Sequence, residues 1–462
     1  MDLNDTPANQ GDVGATPVAT ADAMPSMFAM RRGRRSRRLT CINHAPRWAR
    51  DNARMNTIPE SFPISPRMLA AAPHRLLFFV GASNVLAAMT WWALWLYQSR
   101  FGDVGMAQPP LFAGWAHAFV MQYQVLPPFM FGFLLTVFPR WMGQPELSPW
   151  HYLPVGLGLL SGQLLFLIGL FGFPHLVQIG LFNTIAGWTA GLVFLWGPLR
   201  ADRGRTLHSA SAYVALLFGL LGLLLFALHL YTGSPQLMFA VIKIGSFALL
   251  LPIYTTVAHR MFPFFASVVV PGYVGWRPLG WLGAVWACLL LHLAGELAAL
   301  NAWLWLADLP LAALAGYWLW RNAPRGPMPA LARVLFAGFA WLPLAMLLFA
   351  IQSLWLLASG DLHLGRAPAH ALFIGFFGSL LVAMVTRVTA GHSGRPLELG
   401  RYAGFAFLAI QLVALVRIGA ELSADAMAWQ SVAAFGWLLA FLPWVLRSLY
   451  IYTTPRRDGR PG

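Results

Sequence analysis

Charged residues are scarce in this chain. They make up 10% of its 462 residues, against 58% for hydrophobic residues, whereas soluble domains carry about 25% charged residues. The scarcity excludes an ordinary soluble domain. The apolar residues lie in runs of about 20, which suit membrane-spanning helices and are too long and continuous for barrel strands. The sequence therefore predicts an all-α, polytopic membrane helix bundle in contact with the lipid bilayer.

Cysteine is also nearly absent, since the chain has only Cys41 and Cys288. Neither belongs to a zinc-ligand or CxxC pattern, so we expect two unpaired thiols. Acidic residues are fewer than basic ones, and the net charge is +15. Almost all of the basic residues lie in the two tails and in alternate loops. We therefore attribute the charge to membrane topology and predict no nucleic-acid partner.

Twelve apolar segments are candidate membrane helices, and they divide the chain into three parts. We predict a disordered, basic cytoplasmic tail over residues 1–74, a transmembrane domain over 75–451 and a second basic cytoplasmic tail over 452–462. The weakest division lies between the seventh and eighth segments, around Asn301. The twelve predicted segments are 76–97, 112–138, 152–173, 176–198, 209–231, 237–258, 278–299, 302–320, 331–357, 368–386, 402–420 and 429–450.

The arginines predict the orientation of these segments. Alternate loops, beginning with the loop after the second segment, carry arginines such as Arg140, Arg277 and Arg325, and the opposite loops have almost none. Lys and Arg concentrate in the short loops on the cytoplasmic side. Both termini are therefore expected in the cytoplasm.

Six histidines in or beside the spans are candidate ligands of a metal or haem. Imidazole is a common ligand of copper, iron and haem, and ionisable residues within a membrane indicate functional sites. An interfacial hydrogen-bonding role is the alternative for each. The remaining histidines, His74 and His208 among them, are expected at solvated or interfacial positions. The candidates are His117, His229, His292 and His370 on the outer side, with His259 and His392 on the cytoplasmic side.

The segment from His370 to Pro396 combines these features. An apolar run separates His370 from Arg387, and a glycine-punctuated turn then carries His392 and Arg395. The helix would separate the two histidines by about 25 Å or more, so they cannot share one metal. Arg387 and Arg395, together with Arg260, are candidates for pairing with an anion such as a haem propionate.

The sequence of this segment, HALFIGFFGSLLVAMVTRVTAGHSGRPL, resembles the signature of the NnrS family, in which a histidine-led helix ends in a TRV-x-x-GH-x-GRP turn. RLLFF at Arg75–Phe79, GFLLTVFPRWMG at Gly132–Gly143, ALHL around His229 and RMFPFF after His259 are also similar to family segments. The resemblance implies a haem- and copper-containing protein of the bacterial inner membrane, involved in nitric oxide metabolism or the response to nitrosative stress. It brings no defined reaction.

Two departures from the family pattern concern possible ligands. The family has a His-x-His-Glu-Met segment entering the second span, where this chain has His117, Ala118, Phe119, Val120 and Met121. A metal site that used the second histidine or the glutamate is therefore altered or lost here. His259 also stands where the resemblance leads us to expect a small residue.

Two other functions remain open at this stage. A transporter or sensor without a redox cofactor would suit twelve spans and the Pro127–Pro128 interruption of the second span, although no repeat relates the two halves. A reductase akin to the haem-copper oxidases would need closely spaced ligand pairs that the sequence lacks. No catalytic residue is predicted, and whether the protein is an enzyme stays open.

Overall fold

A computed structural model describes residues 63–459, which form helices joined by short loops and include no strand. The predicted all-α fold is confirmed. Twelve long helices follow the order of the predicted segments. They are α1 Pro73–Phe101, α2 Ala113–Trp141, α3 Pro149–Gly169, α4 Pro174–Asp202, α5 Leu207–Thr232, α6 Pro235–Val269, α7 Leu279–Leu297, α8 Trp305–Asn322, α9 Ala330–Ser359, α10 Ala367–His392, α11 Gly400–Ala420 and α12 Ala426–Tyr452.

Eleven of these helices are long and apolar enough to cross a membrane, and α8 is the exception. It has only 18 residues, among them Asp308 and Arg321. A short 3₁₀ turn over Asn301–Trp303 separates it from α7, at the place where the sequence divides its segments most weakly.

Four helices, α1, α2, α6 and α10, form the interior of the bundle. In the most apolar 18-residue stretch of α2, 89% of the residues are buried inside the protein, compared with 33% in the corresponding stretch of α7. The peripheral helices instead expose large apolar side chains, for example Leu408 of α11 and Leu439 of α12. Such a surface suits hydrocarbon, because every helix satisfies its own backbone. The protein is therefore a polytopic membrane protein in contact with lipid.

Three of the interior helices contain a π-helical segment. These are Met121–Val125 in α2, Gly245–Leu250 in α6 and Ala371–Gly378 in α10. In α2 the segment directly precedes Pro127–Pro128, and the Leu126 amide donates to the Met121 carbonyl at 3.4 Å. The proline pair was expected to kink or unwind this span, and the wider turn is the form that the distortion takes.

The two ends of the described chain meet on one side of the bundle. The Ser65 amide donates to the Thr453 carbonyl at 2.8 Å, as an even number of helices requires. Within the predicted N-terminal tail, Pro66–Ala71 form a 3₁₀ helix and Pro73 begins α1. Residues 1–62 and 460–462 lie outside the described residues, so the prediction of a disordered N-terminal tail stays untested there.

The segment after α12 folds back against the turn that follows α10. The Arg457 amide donates to the Ser393 carbonyl at 3.0 Å. Gly394 has a φ of +65°, and a Cβ added there would lie 2.6 Å from the Asp458 Cγ. Only glycine meets both conditions without strain. The glycine of the GRP turn therefore lets the C-terminal segment lie directly on it.

Candidate functional site

The first candidate site lies at the C-terminal end of α10, which was predicted to face the cytoplasm, where His392 meets His74 of α1. Their ring centroids are 4.4 Å apart, with the ring planes at 39°. His74 is only 5% exposed, and its Nδ1 has no hydrogen-bond partner in the part of the chain that the structure describes. We call these two residues the inner pair. The prediction of a solvated or interfacial His74 is wrong, because α1 begins at Pro73 and buries it.

The neighbour of His74 fixes the start of α1. Arg75 is 2% exposed, and its Nη1 donates to the Tyr452 carbonyl at 3.1 Å and to the Thr454 carbonyl at 2.8 Å. These bonds join the start of the first helix to the end of the last one. The guanidinium therefore holds His74 in place against α10.

The inner pair lies in a field of basic side chains. Arg140, Arg387 and Arg456 are within electrostatic range of His392, with Glu146 as an acidic neighbour. Two of these arginines have a carboxylate partner, since Arg140 pairs with Glu146 and Arg456 pairs with Asp458. The surroundings of the inner pair are therefore positively charged overall, which suits a ligand with anionic groups.

The second candidate site lies at the N-terminal end of α10, which was predicted to face the outside, where His370 and His117 of α2 come within electrostatic range of each other. We call them the outer pair. The His370 Nδ1 donates to the Arg366 carbonyl at 2.9 Å, which leaves its Nε2 as the basic nitrogen. His117 stacks on Trp92, with centroids 4.3 Å apart and planes at 10°. A ring held through one nitrogen with the other free is the usual arrangement of a metal-ligating histidine.

Two further residues frame the outer pair. Arg417 is within electrostatic range of both histidines and pairs with Glu421, four residues further along α11. The second Glu421 carboxylate oxygen accepts the Arg366 amide at 3.1 Å. The carboxylate thus ties α11 to the backbone turn that orients His370.

The other outer histidines have different neighbours. His229 is 6% exposed, its Nδ1 donates to the Ser234 carbonyl at 2.7 Å, and its ring contacts Trp115 and Phe226. These contacts close the turn between α5 and α6. Of the four outer candidates, the structure therefore brings together only His117 and His370.

His292 belongs to a buried polar cluster between α6, α7 and α8. Its Nδ1 lies 2.6 Å from an Asp308 carboxylate oxygen, and its Nε2 lies 3.4 Å from Glu296. Glu296 also pairs with Lys243 at 2.6 Å. His292 and Asp308 are fully buried. Each charge in this cluster has an opposite partner, as a buried ion pair requires.

His259 is hydrogen-bonded to another histidine. The His208 Nε2 and the His259 Nδ1 are 2.9 Å apart, and the His259 Nε2 donates to the Pro278 carbonyl at 3.2 Å. The second bond fixes the tautomer, so His208 donates and His259 accepts. We call these residues the closed pair. His208 is only 9% exposed, so the prediction of a solvated or interfacial position for it is wrong.

The three predicted anion-binding arginines lie in two kinds of surroundings. Arg387 stacks over Phe265 and Arg260 over Trp141, at 4.5 and 4.6 Å from the ring centroids. Arg395 instead lines a cavity, with its Nε and Nη1 buried and without a hydrogen-bond acceptor among the described residues. Burial, together with the nearby Arg447 and Arg457, lowers the pKa of Arg395 to about 10, which leaves it charged at neutral pH.

At the start of α2, where the sequence departs from the family pattern, the structure has apolar side chains in buried positions. Phe119, where the resemblance led us to expect a second histidine, is fully buried and stacks on Phe226 with centroids 4.0 Å apart. Val120, at the position of the glutamate, is 1% exposed. Apolar packing has replaced the two missing polar groups. Throughout residues 63–459, no three His, Cys, Asp or Glu side chains converge closely enough to hold a metal ion.

Sequence reasoning missed three residues of these clusters: His74, His208 and Asp308. A signal existed for two of them. His74 directly precedes the family-like RLLFF segment, and Asp308 is an acid within a predicted span, where ionisable residues are functional candidates. Nothing in the sequence around His208 indicates its role, because its partner His259 lies 51 residues further along the chain.

Comparison with known proteins agrees with the resemblance seen in the sequence. The family model described as "NnrS protein" matches residues 68–456, which include the inner, outer and closed pairs and the turn after α10. No curated protein matches the chain. A match over so much of the chain shows the family, and the protein therefore belongs to the NnrS family.

Proposed function

We propose that this protein binds haem and copper in the bacterial inner membrane and acts in nitric oxide metabolism or the response to nitrosative stress. The observation that carries the proposal is the inner pair. Two imidazoles meet there between α1 and α10, and the buried His74 Nδ1 has no partner. A buried nitrogen without a hydrogen-bond partner lowers the stability of the fold by about 1–3 kcal/mol. A ligand bound to this nitrogen would remove that cost.

The inner pair fits a metal group in one of two ways. Metal–nitrogen bonds of about 2 Å would place in-line imidazole centres roughly 6 Å apart, farther than the observed 4.4 Å. Both rings together therefore suit a single copper ion bound at an angle. Alternatively, one of the two rings would hold a haem, with Arg387 available to its propionates. A copper ion held by both rings, or a haem held by His74, would use the His74 nitrogen that lacks a partner.

The outer pair supplies a second set of imidazoles. The Arg366 carbonyl orients His370, and Arg417 carries a positive charge beside both rings. His370 and His392 lie about 33 Å apart along α10, at 1.5 Å per residue. Two separate metal groups, one at each end of α10, therefore fit better than one shared centre.

An apolar cavity supports access for nitric oxide, which is a small and weakly polar molecule. The cavity has a volume of about 60 Å³ and lies between α1, α2, α6 and α10. Phe78 lines it, and the Phe78 ring centroid lies 6.1 Å from that of His74. Apolar cavities of this kind stay dry and accept small apolar guests. The cavity is too small for a haem but has room for a diatomic gas.

When bound, a haem iron or copper ion would supply a coordination position for nitric oxide and a one-electron redox couple. The chain's own residues have supporting roles. Arg75 holds His74 against α10, the Arg366 carbonyl fixes the tautomer of His370, and the buried aromatic rings keep water away. The arrangement does not define a reaction.

The test is purification of the full chain from cells supplied with haem and copper, followed by pyridine haemochrome and copper measurements. We expect both groups in the parent protein. His392→Ala should remove one group and His370→Ala the other, while the exposed His175→Ala serves as the matched control. A folded parent protein with neither group would overturn the proposal, and so would variants that all retain both groups. Reduced protein should also change its absorption spectrum when nitric oxide is added.

A further inference from the structure

A second cavity lies where the cytoplasmic ends of α10, α11 and α12 meet. Its volume is about 410 Å³, which is within the range of small-molecule sites. Four arginines and a single acid, Glu398, contribute to its lining, so the net charge of the lining is positive. The arginines are Arg395, Arg401, Arg447 and Arg457.

Two donor nitrogens of one arginine in this cavity lack an acceptor. Arg395 is half-buried, and neither its Nε nor its Nη1 has a hydrogen-bond partner in residues 63–459. Leaving a charged donor unsatisfied in a buried position is costly. The Gly394 turn and the Arg457–Ser393 backbone bond hold this side chain in the cavity, so its position is built into the fold. Both observations indicate a missing anion.

The rest of the lining suits a molecule with a polar and an apolar end. Thr389 and Ser448 supply hydroxyl groups, and Leu399 and Trp444 supply apolar surface. Arg447 is exposed and follows Leu446, which is 57% exposed on the lipid-facing side of α12. The cavity therefore lies beside an exposed apolar surface of α12, within reach of a bound lipid.

We propose that this cavity binds a phosphate group, carried either by the head group of an anionic phospholipid or by a soluble phosphate compound. Guanidinium groups match phosphate oxygens with paired, charge-assisted hydrogen bonds. Basic pockets between transmembrane helices on the cytoplasmic side suit such head groups. The site goes beyond the proposed function, because the histidine pairs contribute no residue to it.

The two sources can be separated by binding measurements on the full chain. Native mass spectrometry after reconstitution would count phosphatidylglycerol retained from nanodiscs, with phosphatidylcholine nanodiscs as the reference. A thermal unfolding scan with inorganic phosphate, against chloride at equal ionic strength, would test the soluble source. We expect retained phosphatidylglycerol, a raised Tm with phosphate, or both.

The variants are Arg395→Gln and Arg447→Gln, with the exposed Arg205→Gln of the α4–α5 loop as the matched control. Each cavity variant should weaken phosphate or phosphatidylglycerol binding about tenfold, equivalent to about 1.4 kcal/mol, and the control should not. Should Arg395→Gln fail to fold, Arg447→Gln decides the matter, because its side chain is exposed. Unchanged binding in the variants overturns the proposal. A loss of haem with unchanged phosphate and lipid binding also overturns it, because the anion would then be a propionate.

Discussion

The inner pair and the closed pair each join two helices on the side of the bundle that was predicted to be cytoplasmic, but the hydrogen bonding of their ring nitrogens differs. In the closed pair, His208 and His259 hydrogen-bond to each other at 2.9 Å, and the second nitrogen of His259 has a carbonyl partner. In the inner pair, the rings of His74 and His392 face each other without such a bond, and a buried nitrogen is unsatisfied. Proximity of two histidines therefore does not by itself indicate a metal site, and the hydrogen bonding of their nitrogens distinguishes the two pairs.

The largest expected effect is a loss of bound metal when the inner pair is changed, but not when the closed pair is changed. His74→Ala should remove the metal group of the inner pair almost completely, because it removes one of the two donors that meet there. His208→Ala should leave haem and copper unchanged. Metal analysis and haemochrome spectra on protein purified in parallel would measure both. Equal losses in the two variants would show that the distinction is wrong.

The second-largest expected effect is that of low pH, which should reduce the amount of bound metal without unfolding the protein. A ligating imidazole must be neutral, so protons compete with the metal and affinity falls as pH falls. We expect the affinity for the metal to fall as the pH is lowered, and the metal to be bound again when the pH is restored. Equilibrium dialysis at a series of pH values, followed by metal analysis, would measure this. Metal occupancy that acid leaves unchanged in protein that is still folded would contradict histidine ligation.

A change in the closed pair should alter stability without altering metal. His259→Ala leaves the buried His208 without its acceptor, and interhelical hydrogen bonds of this kind contribute about 1–2 kcal/mol. We expect a lower Tm and an unchanged metal content. Trp281, which stacks on His259 at 5.3 Å, provides a fluorescence signal close to the change. A large loss of metal would instead make the closed pair part of the site.

The smallest expected effect comes from the turn beside the inner pair. Gly394→Ala places a Cβ against Asp458 at a φ of +65°, with an expected cost of about 1 kcal/mol. His392 lies two residues away, so the metal should be bound more weakly but not lost. Thermal unfolding and copper titration would report the two effects separately. Gly404→Ala, where an added Cβ meets only Leu399 side-chain atoms at 3.6 Å or more, is the control.

The fold could be predicted from the apolar content of the sequence, because a chain that crosses hydrocarbon must form long continuous helices. The helix ends were harder to predict. The sixth segment was predicted to end at residue 258 and the tenth at 386, but α6 continues to Val269 and α10 to His392. Loss of apolar character marks where a chain leaves the membrane, and a helix need not end there. His392 therefore lies on the last turn of α10 rather than in a loop.

The candidate site was harder to predict than the helix ends. The sequence indicates how deep a residue lies in the membrane, but it does not indicate where its helix lies around the bundle. His117, His229 and His370 share a depth, but α2 presents His117 toward α1 and α10, while His229 turns toward Trp115. Such facing depends on how twelve helices pack, which a single sequence does not reveal. His74 was missed for a related reason, since its burial depends on α10 and α12 rather than on neighbouring residues.

The bonds of Arg75 carry a consequence for the order in which the protein matures. Their acceptors, the carbonyls of Tyr452 and Thr454, lie 377 and 379 residues downstream. At 5–20 residues per second, a ribosome needs roughly 20–75 s to synthesise that stretch. During this time the first helix holds a guanidinium without its final partners, and His74 cannot yet take its position. The inner pair is therefore completed only when the last helix has been inserted, so chains truncated before that point would never carry a finished site.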